Sequence, residues 1–274
     1  MYLRRTELYG PFSIVELFEA DESAFSHSFG GAVQHQGAVT QEHGDPLHLL
    51  YRLNTDDPEI PISIPGVRWV PLYYCFNWRS GMTVGYRVES ESKIETFPLA
   101  RRFKNYVSDE SEYPYDGFPD QFDIRAVVAT RSAFDPLNRE HVREYIDVFG
   151  TESLGERSRR ELIDDLRSDY NLLDEGPADD SDEALLMTIS GPSCQGHPEN
   201  TCPNPGCGNH SAPRSMRIIA IVPAYPFGDS VEHETLDVFS PWGEQCDLPC
   251  SDLEIVYEMC PVCSAIMATS QALT

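Results

Sequence analysis

From Pro46 to Thr130 the apolar residues come in short dense runs separated by turn and loop residues, the pattern of β-strands. Pro46-Leu-His-Leu-Leu-Tyr-Arg-Leu-Asn54 predicts one strand. Pro58 to Pro65 is proline-rich and predicts a loop, because proline cannot join a central ladder. Val67 to Trp78, dense in Val, Leu, Tyr, Phe and Trp, predicts a buried strand. Ser80-Gly81 is a turn signal, and Met82 to Val88 alternates as the expected hairpin partner of that strand. Ile94 to Phe97 and Ile124 to Thr130 are further strands. Residues 1–30 read as irregular, with one short helix near Ser13 to Ala20.

The period then changes. Pro136 to Phe149 puts Leu137, Val142, Tyr145, Ile146 and Phe149 on one helical stripe, with Asp135 as N-cap and Gly150 as the stop. Glu156 to Tyr170 predicts a second helix whose apolar side is Leu162, Ile163 and Leu166. Asp174 to Glu183 is an acidic, solvated loop. Ala184 to Ile189, Met216 to Val222 and Leu253 to Met259 read as strands. A loose internal echo links Leu47–Leu53 and Val67–Phe76 to Ile218–Val222 and Leu253–Met259, each a strand leading through a proline-rich loop to a second apolar strand.

The resulting expectation is an α+β fold. It is β-rich, with two loosely similar β halves, an inserted helical segment and a C-terminal region carrying cysteine knuckles. The expected boundaries are 1–132 for the first half, 133–185 for the helical insertion with its acidic loop, and 186–274 for the second half. The 274 residues suffice to bury a sizeable core without metal or disulfide. No apolar run approaches the roughly 18 residues of a spanning helix, and the N-terminus shows no signal-peptide core, so a cytoplasmic protein is expected.

Seven of the eight cysteines lie between Cys194 and Cys263. Clustered cysteines without a secretory context point to metal ligands rather than a disulfide scaffold. Cys260-Pro-Val-Cys263 turns tightly and aims two thiolates at one ion. Cys202-Pro-Asn-Pro-Gly-Cys207 starts in the same way and places a glycine before its second cysteine. Together Cys202, Cys207, Cys260 and Cys263 would form a closed, structural four-cysteine site for Zn2+, because soft thiolates favour zinc over hard cations. A local quartet of Cys246, Cys250, Cys260 and Cys263 is the competing arrangement, leaving Cys194, Cys202, Cys207 and His210 as a second set. A redox C-x-x-C is a third, with Leu253–Met259 as its strand and Ser264-Ala-Ile-Met-Ala268 as its helix. Cys75 reads as a small buried hydrophobe.

The pattern of Gly30-Gly31, then Pro46 to Asn54, then Pro65-Gly66 before an apolar strand resembles the YwqG-like family of bacterial proteins of unknown function, whose members carry two similar β-rich halves. The knuckle pairs are similar to those of the programmed cell death protein two family, which binds a basic ribosomal protein. The resemblance covers residues 28–80 and 190–268 and leaves the helical middle unmatched. It implies a β-rich fold and supplies no catalytic residues.

The residues themselves name none either. G-x-S-x-G, a P-loop, G-x-G-x-x-G and H-E-x-x-H are all absent. His27, His35 and His43 are spaced by eight, with no helical or strand register, and read as loop histidines. His197 and His210 flank the first knuckle as candidate ligands or supporting donors, and His141 sits on the exposed side of its helix. The run Tyr113 to Phe122 reads as an aromatic loop packing on its own domain. With 45 acidic and 20 basic residues the formal charge is −25, which disfavours nucleic acid and anionic membranes as partners and leaves three readings: plain solubility first, a saline habitat, or a basic protein partner. Two function classes follow: a non-enzymatic binding or adaptor protein, or an enzyme of unrecognised type with a structural zinc.

Overall fold

The computed structural model describes residues 6–10, 14–41, 43–76, 83–99, 121–131, 170–172, 189–192, 201–212, 215–223 and 253–272. Their strands are β1 (Thr6–Tyr9), β2 (Ile14–Glu19), β3 (Ser28–Phe29), β4 (His48–Asn54), β5 (Trp69–Tyr74), β6 (Thr83–Ser90), β7 (Lys93–Phe97), β8 (Arg125–Arg131), β9 (Tyr170–Leu172), β10 (Ile189–Pro192), β11 (Arg217–Val222), β12 (Leu253–Met259) and β13 (Ile266–Ala272). The chain forms two compact units. One comprises Met1–Pro11, Val15–Thr130 and Gly196–Thr274 and contains an antiparallel eleven-stranded sheet curled into a half-barrel. The other comprises Phe12–Ile14 and Arg131–Gln195 and contains the antiparallel pair β9–β10.

The strands of the large sheet run in the order β5-β4-β3-β8-β2-β1-β11-β12-β13-β6-β7. Its interior face is built by alternation. Leu8 opposes Ala220, Ala220 opposes Tyr257, Tyr257 opposes Ala268 and Ala268 opposes Val84, so one row of side chains crosses five strands. All five are buried. The largest buried side chains include Tyr51, Tyr73, Tyr74, Tyr86 and Tyr257. Such tyrosines fill the interior with ring area and need an internal partner for the hydroxyl; Tyr51 finds Thr6 Oγ1 at 2.8 Å.

The α+β expectation is overturned. Among the described residues the helical content is a single 3-10 turn, Gly208–Ser211, and the fold is β throughout. The helix expected near Ser13 to Ala20 is strand β2. Val15 and Leu17 point into the core while Glu16 and Glu19 stay outside, a period of two that β-branched and aromatic neighbours reinforce. The helices expected over Pro136–Phe149 and Glu156–Tyr170 lie outside the described residues, except that Tyr170 opens β9. Residues 184–188 and the acidic stretch 174–183 also lie outside them.

Pairing departs from local expectation as well. β6 does not pair with β5; its neighbours are β13 and β7. The two echoing strand pairs, β4–β5 and β11–β12, are each antiparallel neighbours, but they belong to one continuous sheet. Tertiary pairing across a long loop is invisible to a local turn signal such as Ser80-Gly81.

Both edges of the sheet are covered, as exposed ladders otherwise invite aggregation. On β5, Pro71 has no N–H to offer, its carbonyl accepts from the Tyr86 hydroxyl at 3.0 Å, and the same hydroxyl accepts from the Tyr73 N–H at 3.0 Å. The Glu91 carboxylate accepts from the Arg68 and Trp69 N–H groups. On β7 the segment 34–41 acts as the cover: Gln36 exchanges backbone bonds with Ser92 and Ile94, and Thr96 Oγ1 donates to the Val39 carbonyl at 2.8 Å. This segment reaches β5 too, where His35 Nδ1 lies 2.8 Å from the Tyr73 hydroxyl. One strap therefore ties the two terminal strands of the sheet together.

The strap makes stability depend on pH. The His35 ring of this strap is half-buried against the Tyr73 hydroxyl. Burial holds the His35 pKa below its usual value; Glu91 opposes this and Arg52 adds to it. The unfolded chain, whose histidine titrates at about 6.5, then binds protons that the folded chain resists, so the contribution is present above that pH and is lost as pH falls through the folded value. Urea unfolding at pH 7.5 and 5.0 should show a stability loss in the native chain that is smaller in His35→Phe. Equal pH dependence in both would remove His35 as its source.

Candidate metal centre

Two short cysteine loops meet on the face of the sheet opposite the tyrosine-rich interior. The first follows from Asx-turn chemistry. Asn204 Oδ1 accepts from the Gly206 N–H at 2.9 Å and its carbonyl from the Cys207 N–H at 3.0 Å, which folds Cys202-Pro-Asn-Pro-Gly-Cys207 back on itself. The 3-10 turn Gly208–Ser211 follows at once, with Cys207 as its N-cap. The second loop is the connection between β12 and β13. Cys260 N–H donates to the Ala265 carbonyl at 2.8 Å, Ser264 N–H donates to the Cys260 carbonyl at 3.0 Å, and Ser264 takes a positive φ of 56° to complete the turn.

The four sulfurs of Cys202, Cys207, Cys260 and Cys263 lie within 4.8 Å of one another. Cys202 and Cys263 are 3.5 Å apart, and Cys207 and Cys260 are 3.8 Å apart. Tetrahedral zinc with Zn–S of about 2.3 Å implies sulfur–sulfur edges of about 3.8 Å, so this cluster has the size that such an ion requires. Cys202 and Cys260 are fully buried; Cys207 and Cys263 are partly so. Phe97, Leu99, Met216, Ala265 and Met267 form an apolar bed around them, a core separate from the interior one.

Backbone and amide N–H groups are aimed at the sulfurs. Asn209 N–H approaches Cys207 Sγ at 3.5 Å, and Asn209 Nδ2 approaches Cys260 Sγ at 3.6 Å, so one residue serves both loops. The Asn209 carbonyl also accepts from Cys202 N–H and Ser215 Oγ. Burial pushes the Cys202 and Cys207 thiols up. Burial pushes the same way at Cys260, but the N–H groups of Cys263 and Val262, together with the neighbouring Cys202 and Cys263 thiols, bring that thiol down. The thiolate is therefore easier to form at Cys260 than at Cys202 and Cys207, where an ion must displace protons against the effect of burial.

The structure therefore brings together the quartet that spans both loops. Cys194, Cys246 and Cys250 lie outside the described residues. His210 is not among the clustered groups; its Nδ1 lies 2.8 Å from the Cys202 carbonyl and steadies the first loop. The segment expected as a redox helix after Cys263 runs instead into strand β13. Cys75 is buried in the interior core.

The loop histidines occupy separate places. His43 is exposed, and His141 and His197 lie outside the described residues. His27 is buried, which its loop position did not suggest. Its Nδ1 accepts from the Asn54 N–H at 2.9 Å and its Nε2 donates to Asp57 Oδ2 at 2.8 Å. With both ring nitrogens engaged, His27 is a tie between loops rather than a free base. Of the aromatic run 113–122, only Gln121 and Phe122 are described, and Phe122 packs on Phe29 and Phe76 at 5.6 and 5.5 Å between centroids.

Fold and site together define an antiparallel β protein with a clustered tetrathiol site compatible with zinc. Comparison of the chain with protein-family models, with curated proteins and with solved structures found no match in any of the three. Among the described residues no helix is long and apolar enough to cross a membrane.

Proposed function

We propose that Cys202, Cys207, Cys260 and Cys263 hold one zinc ion as a structural cross-link, in a cytoplasmic, non-enzymatic protein that binds a basic protein partner. The single observation that carries the metal reading is the size and closure of the four-sulfur cluster. Four thiolates complete a tetrahedral shell, which leaves no position for water or substrate, so such an ion acts through folding. The partner reading is supported by the charge of −25 and by the resemblance to a family that binds a basic ribosomal protein. Repulsion of phosphate backbones makes nucleic acid an unfavourable ligand for the same surface.

Elemental analysis of the gently purified chain is expected to give one zinc, released as the pH is lowered and the Cys202 and Cys207 thiols regain their protons. No stoichiometric metal would refute the site, and two zincs per chain would favour the split into two quartets. Affinity capture from the native host should retain proteins of high isoelectric point that elute as salt is raised. Salt-sensitive retardation of duplex DNA in a gel shift would argue against the partner reading.

A further inference from the structure

Gly85 is the third residue of the eight-residue strand β6, inside a ladder where glycine weakens a sheet by its flexibility and its missing side chain. Its neighbours across the ladders are Met267 on β13 and Phe97 on β7. Both belong to the apolar bed beneath the cysteines, whereas Val84 and Tyr86 belong to the interior core. The vacant side-chain position of Gly85 therefore points at the metal centre's own layer. What fills it is Pro203, the residue after Cys202. A Cβ on Gly85 would stand 2.6 Å from Pro203 Cβ, 3.2 Å from Pro203 Cγ and 3.1 Å from Leu99 Cδ2. Carbon atoms rest at about 3.5–4.0 Å. Any side chain at 85 must lift the first cysteine loop off the sheet by a large part of an ångström.

We propose that Gly85 is a positioning residue of the metal centre: its bare backbone is the seat that sets Cys202 at the right height to share an ion with Cys260 and Cys263. The second loop is fixed independently, because it is the turn joining β12 to β13 and its ends are held by the ladder pair Met259–Ile266. The first loop instead lies in the chain between β10, whose ladder partner is β9, and β11, with no ladder pair joining those two strands. Its height comes from the Pro203–Gly85 contact and from Asn209, which bridges to Cys260. A shift at Pro203 moves Cys202 directly and separates sulfurs that now lie 3.5 Å apart. The inference rests on the reading of the four cysteines as a metal site.

The test uses the full chain and zinc alone, with affinity measured by competition against a chromophoric chelator and with Co2+ substitution as a spectroscopic report on tetrathiolate geometry. Gly85→Val is expected to lower zinc affinity about 10- to 100-fold, the range seen when supporting contacts around a metal are removed. It should also alter the Co2+ ligand-field bands, although every cysteine is intact. Gly85→Ala should show the same change in smaller measure, and it decides the matter if Gly85→Val does not fold. Moving the methyl across the contact, by combining Gly85→Ala with Pro203→Gly, should return the affinity to that of Pro203→Gly alone. A native chain that binds zinc, with Gly85→Ala and Gly85→Val binding it equally well and with unchanged Co2+ spectra, overturns the seat. Losses in Gly85→Ala and Pro203→Gly that simply add in the double variant overturn it too. A native chain that takes up no metal overturns the metal reading itself, and the seat with it.

Discussion

Cys263→Ser should lose its zinc and, with it, the order of a loop that is distant in sequence. Cys263 Sγ lies 3.5 Å from Cys202 Sγ, so one substitution on the second loop removes the partner of the first. The residues 201–212 have few strong anchors apart from this cluster: Cys202, Pro203 and Asn204 are buried, whereas Pro205, Gly206 and Gly208 are exposed. Free metal at about a thousand times its Kd stabilises the folded chain by about 4 kcal/mol, and the loss should reach that order. Limited proteolysis should give new cuts within 201–212, while the interior core with Tyr51, Tyr86 and Tyr257 keeps the sheet folded. Cuts confined to the neighbourhood of 246–263 would mean that the two loops do not share an ion. An unchanged pattern throughout would remove the main support for a metal.

The second large effect belongs to His27. Its ring is buried between the Asn54 N–H and the Asp57 carboxylate, and Asp57 Oδ1 also accepts from the Glu59 N–H at 2.9 Å. His27→Ala leaves a buried carboxylate oxygen without its donor and a buried N–H without its acceptor. Leaving a buried hydrogen-bonding group unsatisfied costs about 1–3 kcal/mol, and more when the group is charged. Urea unfolding should show a loss of that order for His27→Ala and a smaller one for Asp57→Asn, whose side-chain oxygen still accepts from Nε2. A cost for His27→Ala below about 1 kcal/mol, the level of an ordinary surface change, would mean that the tie carries no weight.

Strands whose apolar residues are locally dense were legible: β4, β5, β11 and β12 fall within the runs that the sequence marks, and β7 and β8 extend one residue beyond theirs. Strand β13 was not, because Ile-Met-Ala-Thr-Ser-Gln-Ala is rich in small and polar residues and owes its strand state to pairing with β12 and β6. Strand β2 misled because Ile14 and Val15 are consecutive and both buried, which blurs the period of two. The four clustered cysteines were legible because a Cys-Pro start and a short spacing are local features. Gly85, Asn209 and His27 were not, because each acts on a partner brought near only by folding: Pro203, Cys260 and Asp57. A glycine inside strand β6 was the one signal that the sequence offered for the first of these.

The position of β13 has a consequence for how the chain comes off the ribosome. Strands β6 and β7 are made early, yet the ladder neighbour that joins them to the other eight strands is β13, made after every other strand of the sheet. Until then the growing chain carries a two-stranded ribbon with one edge open, and a two-stranded hairpin is marginal alone in water. The turn that finally delivers β13 is Cys260 to Ala265, the second cysteine loop itself. Synthesis therefore presents the cysteine pair and the closing strand almost together, and the half-barrel is completed only after every other strand of its sheet has been made.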